Sequence, residues 1–245
     1  MASPRPIVLV HGALHGAWCW AAVQSELDRR GVPSYAIDLP GHGSSTEALS
    51  DTLGNAAYVS AVIDRVVARH AQQAVLVGHS YGGTVIGQAA EADKVARLVF
   101  LTALVTEVGE SPTALMATFP PPQHSGTMPG RIFLRNDDGT ISGTPDAAVP
   151  VFYNDSPPEA AAAAIARLCP QRSASLKQEV TRAAWKDIAS TYIRCTKDMA
   201  ISIAAQDMLI ARLTDPSVAT LETDHSPFLA MPSALADILA PLAAG

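Results

Sequence analysis

The sequence predicts a mostly parallel, doubly wound α/β sheet interrupted by one long insertion. Three observations carry this. Short apolar, β-branched runs alternate with stretches of helical period through residues 7–101, the order expected of a parallel sheet covered on both faces. Prolines then crowd residues 104–185 and the strand signal fades. The alternating pattern returns at 190–195 and again at 217–221. Residues 1–103 and 186–245 therefore read as one core, with 104–185 as a cap insertion between its halves.

Each element has a local cause. Ile7 to Val10 is apolar throughout, as in a strand buried on both faces. Trp18, Trp20, Val23 and Leu27 fall at helical spacing across 18–30, and Gly31 is placed to end that helix. Ser34 to Ile37 is a second strand that runs into the loop Asp38 to Gly43. A helix over 56–70 follows from Val59, Val62, Ile63, Val66 and Val67. Ala74 to Val77 is a third strand, followed by a helix through Val85, Ile86 and Ala89, and Val95 to Leu101 is a fourth strand. Within the insertion, Asn136-Asp137-Asp138-Gly139 signals a turn. Ser156 as N-cap, Pro157 at the first helical position and Glu159 completing a capping box predict a helix through Ala160 to Leu168.

Composition narrows the function classes. The 245 residues are 48% hydrophobic and 16% charged, which suits a folded globule and excludes global disorder. Lys and Arg number 17 against 23 Asp and Glu, so no basic surface for nucleic acid can be assembled. No run approaches the ~18 apolar residues of a membrane span. Cys19, Cys169 and Cys195 lie far apart, with neither a disulfide framework nor metal-ligand spacing. The expectation is a soluble, cytoplasmic protein with reduced thiols and no metal. A homodimer is compatible with the sequence.

Gly78-His79-Ser80-Tyr81-Gly82 matches G-x-S-x-G between a strand and a helix. A serine nucleophile must be lifted above the sheet edge by a sharp, strained turn, and its neighbours two residues away must be small. Gly78 and Gly82 meet that need. The Tyr81 N–H then sits at a helix N-terminus and can face a developing oxyanion. His11-Gly12-Ala13 follows the first strand, where the second oxyanion donor is expected, and Ala13 is the candidate.

A serine hydroxyl needs a base. Of seven histidines, His11, His15, His42 and His79 lie in glycine-rich loops suited to structural hydrogen bonds. His70 follows a helix, and His124 is in the insertion. His225 alone fits the chain order Ser, acid, His. Asp198 lies in the loop after the strand Ser190 to Cys195 and is the expected acid. Its rivals are Asp187, before that strand; Asp207, in a helical pattern; Asp215, before the last strand; and Asp224, whose side chain should diverge from its neighbour His225.

These motifs resemble the α/β-hydrolase superfamily, and within it the plant methylesterase and hydroxynitrile lyase group with its bacterial esterase relatives. The resemblance rests on His11 to Trp20, Asp38 to Ser45, Gly78 to Gly83, Phe152 to Asp155, Arg167 to Gln171, Cys195 to Ile201 and Asp224 to Phe228. It implies Ser80, Asp198 and His225 as a catalytic triad, Ala13 and Tyr81 as oxyanion donors, a mostly helical cap and no cofactor. Hydroxynitrile lyases of the group carry threonine in place of Gly12 and lysine in place of Ser226, which argues against lyase chemistry here. Met199 stands where the bacterial relatives often carry a basic residue. The expected activity is a serine hydrolase that cleaves a small, apolar carboxylic ester through an acyl-enzyme. The alternatives are a lyase or other acid–base enzyme on the same triad, and a ligand-binding receptor or scaffold. Met116, Phe119, Met128, Phe133, Phe152 and Phe228 are candidate lining residues.

Overall fold

The structure is a computed structural model that describes residues 3–120 and 133–244. Four strands precede the insertion: β1 (Ile7–Val10), β2 (Ser34–Ile37), β3 (Ala74–His79) and β4 (Val95–Leu101). Within it run the short strands β5 (Phe133–Arg135), β6 (Thr140–Gly143) and β7 (Gln171–Arg172), followed by β8 (Ser190–Cys195) and β9 (Ser217–Leu221). The main sheet has the order β2-β1-β3-β4-β8-β9, with every pairing parallel. The chain goes outward from β1 to β2, then crosses back to β3 on the other side. The strand order therefore reverses between β1 and β3, which opens a crevice at their carboxyl ends.

Burial follows the two-residue period of the strands. Val8 and Val10 face one core, with Val59 and Ile63 of α2 (Thr52–His70) and Val85 and Ile86 of α3 (Gly82–Ala89). Ile7 and Leu9 face the other, with Val23 and Leu27 of α1 (Ala21–Arg29) and the C-terminal helix 232–243. Fully burying such a side chain contributes roughly 1.5–3 kcal/mol. Two apolar faces explain why β1 reads as an unbroken apolar run.

The helix expected over 18–30 begins as a 3-10 turn, Ala17–Trp20, and ends as predicted at Gly31, whose φ is 69°. The helix expected over 56–70 starts four residues earlier, at Thr52. Gly54 and Asn55 are poor helix formers and hide that first turn from a propensity argument. The Asp51 carboxylate stabilises it by accepting from Gly54 N at 2.8 Å.

Between β4 and β8 lie α4 (Pro112–Met116), α5 (Pro145–Phe152), α6 (Pro158–Ile165) and α7 (Ser173–Lys177), beside the antiparallel sheet β5-β6-β7. The turn Asn136 to Gly139 joins β5 to β6, with Gly139 at a φ of 81°. The expected capping box does not form. Pro157 occupies the N-cap position without a side-chain cap bond, and the Ser156 hydroxyl instead donates to Asp224 Oδ2 at 2.8 Å. The helix begins one residue later than the spacing predicts, which puts Pro157, with no side-chain acceptor, at the N-cap and leaves Ser156 outside the helix. The remaining helices are α8 (Ile203–Ile210), α9 (Pro227–Ala230) and α10 (Pro232–Ala243).

Candidate active site

The sharp turn at Ser80 is built by its neighbours. Ser80 has a φ of 52°, a left-handed conformation that costs a non-glycine residue on the order of 1–3 kcal/mol. Its carbonyl accepts from Gly83 N and Leu104 N, each at 3.0 Å, which holds the strained backbone. A Cβ on Gly78 would lie 2.6 Å from the Gly82 carbonyl oxygen, and one on Gly82 would lie 2.8 Å from that of His11. The small-neighbour requirement is therefore a contact between backbones. Ser80 itself is half-buried, at the crevice between the loops that follow β1 and β3.

Tyr81 is the N-cap residue of α3. Its phenol accepts from Asn55 Nδ2 at 3.0 Å and lies 3.1 Å from Thr52 Oγ1, whose hydroxyl donates to the Ser175 carbonyl. The residue after the serine is thus tied to the start of α2 and, through Thr52, to α7.

His225 and Asp198 stand on the loops after β9 and β8, and His225 Nδ1 lies 2.6 Å from Asp198 Oδ2. Asp198 is buried and accepts three further bonds: Ala200 N at 2.7 Å, Ile201 N at 2.9 Å and the Thr102 hydroxyl. The His225 carbonyl accepts from His79 Nε2 at 2.8 Å. Burial holds the His79 pKa well below its ordinary value, so this ring is neutral with its proton on Nε2. Its bare Nδ1 packs against Gly12, where a Cβ would lie 2.7 Å away. A threonine at position 12 has no room unless His79 moves.

Asp224 does not reach the imidazole. Its Oδ1 accepts from Ser226 N at 2.9 Å, and its Oδ2 accepts from Asp155 N at 2.9 Å and from Ser156. The other rivals lie apart. Asp207 pairs with Arg194 at the surface, Asp187 precedes β8 and Asp215 precedes β9.

The loop after β1 is gripped by its own histidines. His11 Nδ1 donates to the Gly12 carbonyl at 2.8 Å, and His11 Nε2 accepts from Leu39 N at 3.1 Å. His15 Nδ1 donates to the Ala13 carbonyl at 2.8 Å. Burial lowers the His11 pKa to about 3 and that of His15 to about 4, so both are neutral. His42 bonds the Pro40 carbonyl and the Gln171 amide. The structural roles expected for these loop histidines match the contacts they make.

Of the proposed lining residues, Phe152 tilts over His225 with ring centroids 5.6 Å apart, and Phe133 lies behind it at 6.5 Å. Phe228 is core, edge-on to His79. Phe119 is half-buried against the main core and Met116 is exposed. Met128 lies outside the described residues. The sequence assigns no role to Thr102 or Tyr153. Thr102 could have been found by its place one residue beyond β4, at the edge where such sheets bind ligands. Tyr153 falls in the matched motif Phe152 to Asp155, yet nothing local gives its role, because its partner His15 is 138 residues away.

The parallel sheet, its reversal point and the serine turn define a class, and the sequence profile of the alpha/beta hydrolase family matches residues 7–238. The chain belongs to that family. A pyrethroid hydrolase of Sphingobium wenxiniae is 30% identical over 97% of this chain and 87% of its own. The putative chloroplastic methylesterase 15 of Arabidopsis thaliana is 28% identical over 97% of this chain and 56% of its own. The chain thus spans little more than half the length of that relative. Among solved structures, a pyrethroid hydrolase from Sphingobium faniae superposes with a TM-score of 0.80 at 27% identity, over 98% of this chain and 97% of that one. No helix among the described residues is long and apolar enough to cross a membrane.

Proposed function

We propose that the protein is a serine hydrolase of small, apolar carboxylic esters, with Ser80, Asp198 and His225 as its triad. The observation that carries this is the 2.6 Å bond from His225 Nδ1 to a buried carboxylate, at the same sheet edge that presents the strained Ser80. His225 takes the Ser80 proton as the hydroxyl attacks the ester carbonyl. The tetrahedral oxyanion rests on the Tyr81 and Ala13 amides. His225 then protonates the leaving alcohol, and water repeats the sequence on the acyl-enzyme. Asp198 holds the imidazole in one tautomer and offsets the charge it gains.

Esterase relatives and the lack of space at Gly12 favour hydrolysis over hydroxynitrile lysis. Ser226, where lyases carry lysine, is fully buried beside His225 and brings no charge. Residues 104–185 act as the cap, and Phe152 gives the site an apolar wall next to the base. The free thiols of Cys19, Cys169 and Cys195 suit a reducing, cytoplasmic setting.

Turnover of p-nitrophenyl acetate by the wild type and by Ser80→Ala tests this assignment. The variant should fold and lose several orders of magnitude in kcat, on the scale of about 10⁶ for removing a serine nucleophile. Retention of most turnover would sink the assignment, and absence of turnover in both would favour a binding protein.

A further inference from the structure

An oxyanion donor must be held still where charge develops, and Ala13 sits in a loop with no regular structure to hold it. Two peptide planes flank Ala13, and an imidazole grips each. His11 Nδ1 donates to the Gly12 carbonyl. The Ala13 N–H belongs to that same trans peptide, so it points the opposite way. His15 Nδ1 donates to the Ala13 carbonyl and closes a turn around Leu14, whose φ of 66° is uncommon for a residue with a side chain.

A carbonyl only accepts, so each neutral ring must carry its proton on Nδ1 and leave Nε2 bare. For His11 that tautomer is fixed by the backbone N–H of Leu39. For His15 it is fixed by the insertion: the Tyr153 hydroxyl, at the end of α5, donates to His15 Nε2 at 2.8 Å. Burial raises the phenol pKa, so this donor keeps its proton. The rest of the His15 surround is aromatic, with Trp18, Phe152 and Phe228 all within 6.0 Å of the ring by centroid. If the phenol were lost, the Nε2–H tautomer would compete. That tautomer turns a nitrogen lone pair onto the Ala13 carbonyl and repels it.

We propose that Tyr153 is a positioning residue that, acting through His15, sets the Ala13 amide as an oxyanion donor. This rests on the esterase assignment. The end of α5 and the turn after it also reach the base, because Phe152 tilts over His225 while Asp155 N and the Ser156 hydroxyl bond Asp224. One segment of the insertion therefore fixes both the base loop and the oxyanion loop.

The test uses the full chain, p-nitrophenyl acetate and a small alkyl trifluoromethyl ketone. Ser80 Oγ adds to the ketone carbonyl and its proton passes to His225, which leaves a tetrahedral oxyanion in the proposed hole. Tyr153→Phe should weaken ketone inhibition about tenfold and lower kcat by a similar factor, with the ester KM unchanged. Its ¹⁵N ring signals should show that His15 no longer holds a single Nδ1–H tautomer. His15→Asn, whose amide nitrogen can replace Nδ1, should retain most of the ketone affinity, and adding Tyr153→Phe to it should cost nothing more. His15→Leu, which removes the grip, should lose at least as much as Tyr153→Phe. Unchanged ketone affinity in Tyr153→Phe overturns the proposal. So does a KM that rises in step with the inhibition constant, since that reports a loosened insertion. If the ketone binds Ser80→Ala as tightly as wild type, the esterase assignment itself has failed and the inference falls with it.

Discussion

Thr102 lies one residue beyond β4 with a φ of 36°, and this strained backbone aims its hydroxyl at the same Asp198 oxygen that faces His225. A hydrogen bond to a charged group contributes about 1.5–3 kcal/mol, and this one both anchors the carboxylate and sets its angle. Thr102→Val keeps the shape and removes the donor. We expect it to lower kcat by roughly 10–100-fold with little change in KM, as steady-state kinetics on p-nitrophenyl acetate would read. An unchanged kcat would show that the two backbone donors, Ala200 N and Ile201 N, hold Asp198 alone. At this scale the sequence was informative where chemistry demands a residue type in a local pattern, as at Ser80 and Gly82. It was silent on Thr102, because a lone threonine after a strand has many ordinary uses.

The loops after β8 and β9 each offer one buried aspartate, Asp198 and Asp224, and their bonds separate them. Asp198 meets the imidazole. Asp224 ties the β9 loop to the start of α6 through Asp155 N and Ser156 Oγ, and ties the loop to itself through Ser226 N. Asp198→Asn should lose on the order of 10⁴ in kcat, because an amide cannot fix the tautomer or offset the imidazolium. Asp224→Asn should lose much less activity. Its amide must turn an NH₂ toward donors on one side, which leaves about 1–3 kcal/mol of unmade bonding. Its melting temperature should therefore fall by roughly 2–4 °C for each kcal/mol. Kinetics and thermal melts of the two purified variants decide this, and a dead Asp224→Asn with an active Asp198→Asn would reverse the assignment. The missed cap is a shift of one residue: Ser156 and Glu159 have capping-box spacing, yet the helix starts at Pro158, and the Ser156 hydroxyl donates to Asp224, 68 residues on in sequence.

Across the whole molecule, buried neutral histidines set the response to acid. His11 and His15 have pKa values lowered to about 3 and about 4, and those of His42 and His79 are also lowered, in each case chiefly by burial. Below the ordinary value of ~6.5 the unfolded chain takes up protons that the folded chain refuses, so stability falls as pH drops. Each such proton contributes a slope of about 1.4 kcal/mol per pH unit. The fall should begin near pH ~6.5 and persist until the folded rings themselves protonate. Urea melts should show a steady midpoint above about pH 7.5 and a steep decline below about pH 6. A midpoint that stays level down to about pH 5 would contradict the neutral, buried state of these rings.

The sequence by itself determined a mostly parallel sheet, the serine turn, and the loops that carry Asp198 and His225; the strand order β2-β1-β3-β4-β8-β9 came from the structure. The first three follow from local rules: apolar runs buried on two faces, glycines where backbones touch, and chain order along strand ends. Chain order and strand ends already pointed to Asp198 over its rivals, but tertiary structure alone decided the bonds that hold it, that Thr102 and His79 brace the loops after β8 and β9, and that Tyr153 reaches His15. Those contacts join residues 27 to 146 positions apart, and no local pattern encodes a hydrogen bond whose geometry exists only after the sheet has brought its loops together.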